Sequence, residues 1–312
     1  MNLAIDLMQA FLLIAVAPLV SGVVARCKAR VQNRRGASLW RPYAELLKLF
    51  CKEDLVPDTA SALFRFAPAI LFAATVTAAA FIPVLHPAAL FGVSGDIIFL
   101  VYLLAIGRFF LMLGAMDGGS SFGGMGASRE ALVSALAEAP LLLALISVAI
   151  LTHTVSVSGI VTTTLQQNPF HLSAVYAFAL GALVLVALAE AGRIPVDNPA
   201  THLELTMIHE AMVLEYSGPS LALIEWASAI KLTLIMALLI GLFAPWGMAT
   251  NASITVLLFA PLLFFFKLVV LAATIAIIEC SMAKLRMYLV PDFLGMASAL
   301  AILAVSFTAL MR

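Results

Sequence analysis

Ionisable side chains recur inside stretches of this chain that are otherwise hydrocarbon. Glu138 lies eight residues after Glu130, which is about 12 Å along a helix. Further charges within such stretches are Arg108, Lys231, Lys267 and Glu279. A charge in a bilayer costs about 2.5–3.5 kcal/mol or more, so each of these side chains requires a partner or water. Two interpretations stay open, namely structural ion pairs between helices and a hydrated proton relay.

A second group of acids follows in the segment "EAGRIPVDNPATHLELTMIHEAMVLEYSGPS". Its carboxylates are Glu190, Asp197, Glu204, Glu210 and Glu215. They alternate with apolar residues, which predicts a partly buried helix over residues 201–215. Buried acids must be paired, hydrated or exchanging protons. His202 and His209 lie on one face of this helix, where pairing with carboxylates is favoured over a metal site because no third ligand is evident.

The elements that position these residues are predicted to be membrane helices. Of 312 residues, 63% are hydrophobic and 11% are charged, whereas a soluble domain carries about 25% charged residues. The sequence therefore predicts an all-α, polytopic membrane protein that forms a single integral membrane domain over residues 1–312. A span requires about 20 apolar residues. The eight candidates are about 3–25, 66–88, 96–115, 130–153, 172–190, 226–248, 252–277 and 292–311.

Positive charge is concentrated between Arg26 and Arg65, a segment that holds nine of the 17 Lys and Arg residues. The loops between the second and third, the fourth and fifth, and the sixth and seventh predicted spans hold no Lys or Arg. Short cytoplasmic loops are the ones rich in Lys and Arg. We therefore expect both termini outside and the first span retained, since its cations follow it. The expected cytoplasmic loops are about 26–65, 116–129, 190–225 and 278–291.

The first of these loops contains an amphipathic helix in "LWRPYAELLKLFCKE". Leu39, Tyr43, Leu46, Leu47 and Phe50 recur at helical spacing, with charges elsewhere on the wheel. Such a helix lies at the membrane surface. It serves either as a lipid anchor, or as a docking platform or the wall of a cavity.

The three cysteines are far apart and form no CxxC motif. Zinc, iron–sulfur and haem-attachment sites are therefore not expected in this chain, and any redox cofactor belongs to a partner. A net charge of zero gives no general attraction to nucleic acid.

Several motifs together resemble the complex I subunit 1 family, which includes the corresponding membrane subunit of bacterial NADH–quinone oxidoreductase. "KARVQNRRG" and "ELLKLFCKEDLVP" are similar to the first cytoplasmic loop of that family, and "EAGRIPVD" and "EYSG" to its acidic loop. "GGSSFGGMGASREA" and "ECSMAKLR" look closest to the branch of formate hydrogenlyase, hydrogenase-4 and other group 4 membrane-bound [NiFe] hydrogenases.

The resemblance implies a non-catalytic subunit of a bacterial or archaeal cytoplasmic membrane complex. It would dock hydrogenase-like small and large subunits that hold a [4Fe–4S] cluster and a nickel–iron centre, beside antiporter-like membrane subunits. The docking cations would be Arg30, Arg34, Arg35, Lys48 and Lys52. The proton or sodium relay would comprise Glu138, Glu190, Asp197, Glu204, Glu210, Glu215, Lys231, Lys267 and Glu279.

The chain departs from the quinone-reducing branch in two places. "DNPATHLEL" replaces a more acidic stretch, and "GASLW" stands where that branch has a longer insertion. These departures favour the hydrogenase branch. Three alternatives remain open: a subunit that forms a quinone site, a stand-alone secondary transporter, and a structural adapter whose acids only form ion pairs.

Overall fold

The computed structural model describes residues 2–92, 96–166, 174–198, 207–249 and 254–310. Within these ranges the chain forms α-helices and no β-strand. The helices are α1 (Asn2–Val31), α2 (Arg41–Phe50), α3 (Ala62–Ala79), α4 (Ile97–Asp117), α5 (Ser121–Thr152), α6 (Val157–Gln166), α7 (Ala174–Glu190), α8 (His209–Val213), α9 (Gly218–Phe243), α10 (Ile254–Ser281) and α11 (Val290–Leu310).

The polytopic membrane architecture predicted from the sequence is confirmed. Seven helices among the described residues are long and apolar enough to cross a bilayer, namely α1, α3, α4, α5, α9, α10 and α11. The shorter apolar helix α7 lies where the fifth span, about 172–190, was predicted. The amphipathic surface helix is also confirmed as α2, in which Pro42 stands near the N-terminus, where no backbone N–H is required.

The second predicted span, about 66–88, extends beyond the helix in the structure. Helix α3 ends at Ala79, and the largely buried residues 80–89 are not helical. The side chain of Gln9 compensates by accepting hydrogen bonds from the backbone N–H groups of Val84 and Leu85 at 3.1 and 3.3 Å. Because Pro83 and Pro87 disrupt helix geometry, this segment satisfies its polar backbone through a side chain of α1 instead.

Most of the glycine-rich stretch after Asp117 is helical, whereas a loop over 116–129 was predicted; residues 118–120 alone connect α4 and α5. Helix α5 begins at Ser121, where Ser120 caps it by accepting from the Gly123 N–H. A Cβ at Gly123 would clash with the Ala115 carbonyl oxygen, and one at Gly126 would lie 2.9 Å from Ala211 Cβ. These glycines permit close helix approach, as small residues do in membrane proteins.

Three other helices differ from the prediction. Helix α9 begins at Gly218, whereas the predicted span begins at about residue 226, so Lys231 lies near the middle of the helix. Helix α6 was missed because it is short and rich in Thr, which has a modest helix propensity. The helix predicted over 201–215 is reduced to α8 in its described part, since Met207 and Ile208 are not helical and residues 199–206 lie outside the described ranges.

Helix α9 lies at the centre of the bundle. In the most apolar stretch of α9, 67% is buried inside the bundle, compared with 28% in that of α10. Around it, α5, α7 and α11 pack against one another, α3 packs on α4 and α9, and α1 packs on α10 and α9. Helix α11 contributes Ala297, Ala301 and Ala304 to this packing, all fully buried.

The bundle has two ends. We call the end that carries α2 and α8 the α8 face. There Ser61 is hydrogen-bonded to Asp117 and Ser217 to the backbone of Leu55. At the opposite end, the α6 face, the Ile97 N–H donates to the Val155 carbonyl and the Ala249 N–H to the Leu85 carbonyl.

Candidate functional site

The centre of the site is a buried ion-pair triad between three helices. One carboxylate oxygen of Glu190 lies 2.5 Å from Arg108 Nη1, and the other lies 2.9 Å from Lys231 Nζ. The side chains of Glu190, Arg108 and Lys231 are only 9%, 11% and 17% exposed, respectively. Glu190 is therefore held by cations from α4 and α9 in the interior of the bundle.

Helix geometry explains why Glu190 needs two cations. It is the last residue of α7, where the helix macrodipole places partial negative charge. A carboxylate there is disfavoured both by this dipole and by burial. Arg108 and Lys231 are both interior residues of long apolar helices, so their long side chains reach Glu190 from neighbouring positions in the bundle.

Two further carboxylates, both on α5, accompany the triad. Glu130 lies within electrostatic range of Lys231 and Arg108, and Glu138 within range of Arg108. We call Arg108, Glu130, Glu138, Glu190 and Lys231 the charged cluster. In it two cations face three carboxylates, which leaves one negative charge formally uncompensated. Because an uncompensated buried charge is costly, the arrangement favours binding of a proton or another cation.

Two cavities meet at the charged cluster. The larger, of about 700 Å³, opens from the α8 face and is lined by Arg108, Glu130, Glu190 and Lys231. The smaller, of about 50 Å³, has apolar walls apart from Arg108, Glu190 and Glu138. Glu138 forms no hydrogen bond or ion pair with any residue in the described part of the chain. Glu190 lines both cavities and Glu138 only the smaller one. Glu138 is thus the next carboxylate after the triad on a path that starts in the larger cavity.

Helix α2 forms part of the wall of the larger cavity. Pro42, Leu46 and Leu49 line it, while the Tyr43 hydroxyl donates to the Ala15 carbonyl of α1 at 2.5 Å. Burial raises the pKa of this phenol. Of the two interpretations of the amphipathic helix, the structure therefore supports the cavity wall.

The acids of the segment after α7 have different positions. Asp197 and Glu210 line the larger cavity, whereas Glu215 is not among its lining residues and lies beside Gly118. Glu204 and His202 lie outside the described residues. The structure therefore brings Glu190, Asp197 and Glu210 to one cavity and separates Glu215 from them.

Asp197 anchors the fold of that segment. It is buried, accepts a hydrogen bond from the His209 N–H at 3.1 Å and pairs with Lys284 at 2.7 Å. The His209 ring lies 3.3 Å from the Ser228 hydroxyl. Burial lowers the pKa of His209 below its ordinary value of 6.5, while Asp197 and Glu210 oppose this shift. His209 is thus favoured as a neutral imidazole.

Glu279 belongs to a separate ion-pair group at the α8 face. Its side chain is fully buried and lies 3.1 Å from Lys28 Nζ and 3.4 Å from Arg193 Nη1. These contacts tie the C-terminal ends of α1 and α10 to the segment after α7. Arg193 also lines the larger cavity, so this group borders it without joining the charged cluster.

Lys267 lies toward the α6 face, apart from both groups. Its ammonium donates to the Ala244 carbonyl at 2.7 Å and to the Trp246 carbonyl, and it lies 4.0 Å from the centre of the Trp246 ring. These carbonyls follow the end of α9, where a cation is favourable. The structure therefore does not bring Lys267 together with Glu138.

The predicted docking cations are all exposed. Arg34 and Arg35 lie in the connection between α1 and α2, Lys48 and Lys52 line the mouth of the larger cavity, and Arg30 lies beside a groove on the flank of the bundle.

Sequence reasoning did not assign Arg108 and Glu130 to the site. Arg108 carried a signal, because it is a lone cation in an apolar helix, but the sequence did not reveal its partner. Glu130 stands at the start of the predicted span 130–153, whereas in the structure it lies nine residues after the first residue of α5.

The chain is similar to known membrane proteins over nearly its full length. It matches the NADH dehydrogenase family over residues 3–310. It is 35% identical to formate hydrogenlyase subunit 4 of Escherichia coli (strain K12) over 291 residues, covering 93% of this chain and 94% of that protein. It is 32% identical to hydrogenase-4 component C of the same organism over 298 residues, covering 96% and 93%.

The fold is similar to a chain in the structure of the membrane-bound sulfane sulfur reductase, an archaeal respiratory membrane complex. The TM-score is 0.84 at 22% sequence identity, covering 99% of this chain and 100% of that chain.

Proposed function

The chain belongs to the NADH dehydrogenase family, and we propose that it is the membrane-anchor and ion-coupling subunit of a multi-subunit energy-converting oxidoreductase of the group 4 [NiFe] hydrogenase type. It docks a peripheral redox arm and links electron transfer there to translocation of protons or sodium. The similarity to subunits of formate hydrogenlyase and hydrogenase-4 supports this assignment.

The observation that carries the proposal is the charged cluster at the junction of two cavities. A cluster with one uncompensated negative charge responds to any nearby change of charge or conformation by binding or releasing a cation. The larger cavity opens at the α8 face, and Glu138 lies beyond the triad. A redox change in an arm docked at that face would thus alter the cation occupancy of the charged cluster.

The α8 face is the proposed docking surface for that arm. Arg34 and Arg35 extend from it as exposed cations, and Lys48 and Lys52 stand at the cavity mouth. In this arrangement the α8 face is cytoplasmic and both termini are outside. The partners are hydrogenase-like small and large subunits with a [4Fe–4S] cluster and a nickel–iron centre, together with antiporter-like membrane subunits.

The proposal is tested by Glu138→Gln in the complex, purified through a tag on this subunit and reconstituted in liposomes. Glutamine keeps the shape of the side chain but does not exchange a proton. We expect normal assembly and electron transfer to artificial acceptors, with ion pumping reduced at least tenfold. Glu215→Gln is the matched control, because Glu215 lies outside the charged cluster, and it should retain pumping. Full pumping by the Glu138 variant would refute the relay.

Mass spectrometry of the same preparation, with a nickel assay, identifies the partners. A nickel-bearing large subunit supports the hydrogenase type, whereas recovery of the chain alone would contradict the subunit role.

A quinone-binding role is the second candidate, favoured by the volume of the larger cavity. About 700 Å³ lies within the range of small-molecule sites, and the cavity combines apolar walls with a few charged groups. Quinone extracted with the purified complex, and displaced by a quinone-site inhibitor, would support this role. Complete absence of quinone from active material would exclude it without affecting ion coupling.

A further inference from the structure

A groove on the flank of the bundle, separate from the charged cluster, runs between α1 and α10. It has a volume of about 500 Å³. Helix α1 contributes Val23, Arg26, Cys27, Arg30 and Val31, which follow one helix face. The opposite wall comes from α10, through Phe265, Val269, Ala273 and Ile277, spaced four residues apart.

The groove is charged at one end only. Arg30 is the penultimate residue of α1, and Ile277 lies four residues before the end of α10, so both mark the α8 face. Arg26 lies one turn deeper than Arg30. Within the described ranges neither arginine forms an ion pair, whereas neighbouring Lys28 is paired with Glu279. No acidic side chain of the described residues lines the groove.

The apolar part of the groove matches one leaflet of a bilayer. Ile277 and Phe265 are twelve residues apart, which corresponds to about 18 Å along a helix. The hydrocarbon core of a bilayer is about 30 Å thick, so one leaflet accounts for roughly half of that length. The apolar part of the groove is thus about as long as one leaflet. At headgroup level it ends at two cations that have no ion-pair partner among the described residues.

We propose that this groove binds one anionic phospholipid from the leaflet on the α8 face. The lipid phosphate contacts Arg26 and Arg30, and an acyl chain lies along Phe265, Val269 and Ala273. Basic sites between membrane helices select anionic headgroups in this way. A transmembrane helix of another subunit fits less well, because its apolar body offers no anion to the two guanidinium groups at headgroup level.

This site reassigns one of the predicted docking cations. Arg30 contacts lipid phosphate, and docking of a soluble arm rests on Arg34, Arg35, Lys48 and Lys52. The lipid site does not depend on the proposed ion coupling, since it follows from the membrane fold and the groove alone.

The test is native mass spectrometry of the full-length chain in detergent, together with any partners that co-purify. Phosphatidylglycerol and phosphatidylcholine with identical acyl chains are titrated after delipidation. We expect tight binding of one phosphatidylglycerol and weak binding of phosphatidylcholine. Each surface cation contributes about a fivefold affinity change, so Arg26→Gln with Arg30→Gln should weaken phosphatidylglycerol binding about 25-fold.

Arg34→Gln with Arg35→Gln is the matched control, because it removes the same charge from exposed positions after α1 that do not line the groove. It should leave the affinity for the first phosphatidylglycerol unchanged. Ala273→Phe fills the groove without altering its charge and should weaken both lipids. Equal effects of the two double variants, or no effect of Ala273→Phe, would overturn the proposal. Disulfide crosslinking of Ala273→Cys to a membrane partner in the native complex would also overturn it.

Discussion

Replacing Glu190 by glutamine tests whether the charged cluster is a tightly coupled unit. The variant keeps the size of the side chain and removes the carboxylate that pairs with both Arg108 and Lys231. Two cations that are 11% and 17% exposed then lose their closest counter-charge.

The expected magnitude follows from burial. Breaking a buried pair by removing one partner costs about 3–5 kcal/mol. Glu130 and Glu138 remain near the cations, which places the effect at the lower end, about 3 kcal/mol. With an unfolding entropy of roughly 2.1 cal/mol/K per residue over this chain, that loss corresponds to a decrease in Tm of about 5 °C.

The assay is thermal unfolding in mild detergent, followed by intrinsic tryptophan fluorescence. Glu45→Gln is the matched control, because it removes the same charge from a pair with Arg41 on the surface of α2. The Glu45 and Arg41 side chains are 56% and 65% exposed and lie 2.7 Å apart. Exposed pairs of this spacing contribute about 0.3–0.5 kcal/mol, so Tm should fall by less than about 1 °C.

A combined variant separates loss of the pair from general disruption. Adding Lys231→Met to Glu190→Gln removes one of the orphaned cations, and part of the lost stability should return. If Glu190→Gln lowers Tm no more than Glu45→Gln does, the triad does not hold the bundle together. Strict additivity in the combined variant would likewise refute coupling between the two side chains.

Two further predictions concern helix packing and pH. Gly123→Ala should destabilise the protein by about 1–3 kcal/mol, because the added Cβ would clash with the Ala115 carbonyl oxygen. In the same turn, a Cβ at Gly124 meets nothing within 4 Å, so Gly124→Ala should be neutral or stabilising. Equal losses of thermal stability in the two variants would refute the role of Gly123 in close helix approach. Burial lowers the pKa of His209 from 6.5, so the unfolded chain binds this proton first as the pH falls. Stability should therefore decrease below about pH 6.5, and His209→Gln should reduce that decrease. Parallel Tm–pH profiles for the variant and the unsubstituted protein would contradict this role of His209.

The sequence alone was sufficient for the membrane architecture and for most span positions. Long apolar runs separated by proline, glycine and charge predicted the seven helices of the described residues that are long enough to cross a bilayer, and also the shorter helix α7, because hydrocarbon length and backbone satisfaction favour helices. The amphipathic helix α2 was predictable for a similar reason, since its apolar spacing and Pro42 are local features. One error arose at residues 80–89, where Pro83 and Pro87 end the helix and the distant side chain of Gln9 satisfies the backbone of a buried, non-helical segment. Another arose in α5, where close packing at Gly123 favours a helix in a glycine-rich stretch.

The candidate site was predictable only in its residue types. Charges such as Glu138, Glu190 and Lys231 stand out because they lie in or beside apolar helices, whatever the packing. The sequence does not predict which of these charges form pairs, because the rotation of each helix and the identity of its neighbours depend on the whole bundle. Only the tertiary structure assigned Arg108 and Lys231 to Glu190, Lys28 and Arg193 to Glu279, and Lys267 to the carbonyls after α9. Local sequence thus determined the helices and the charges they carry, and long-range packing decided which charges form a cluster.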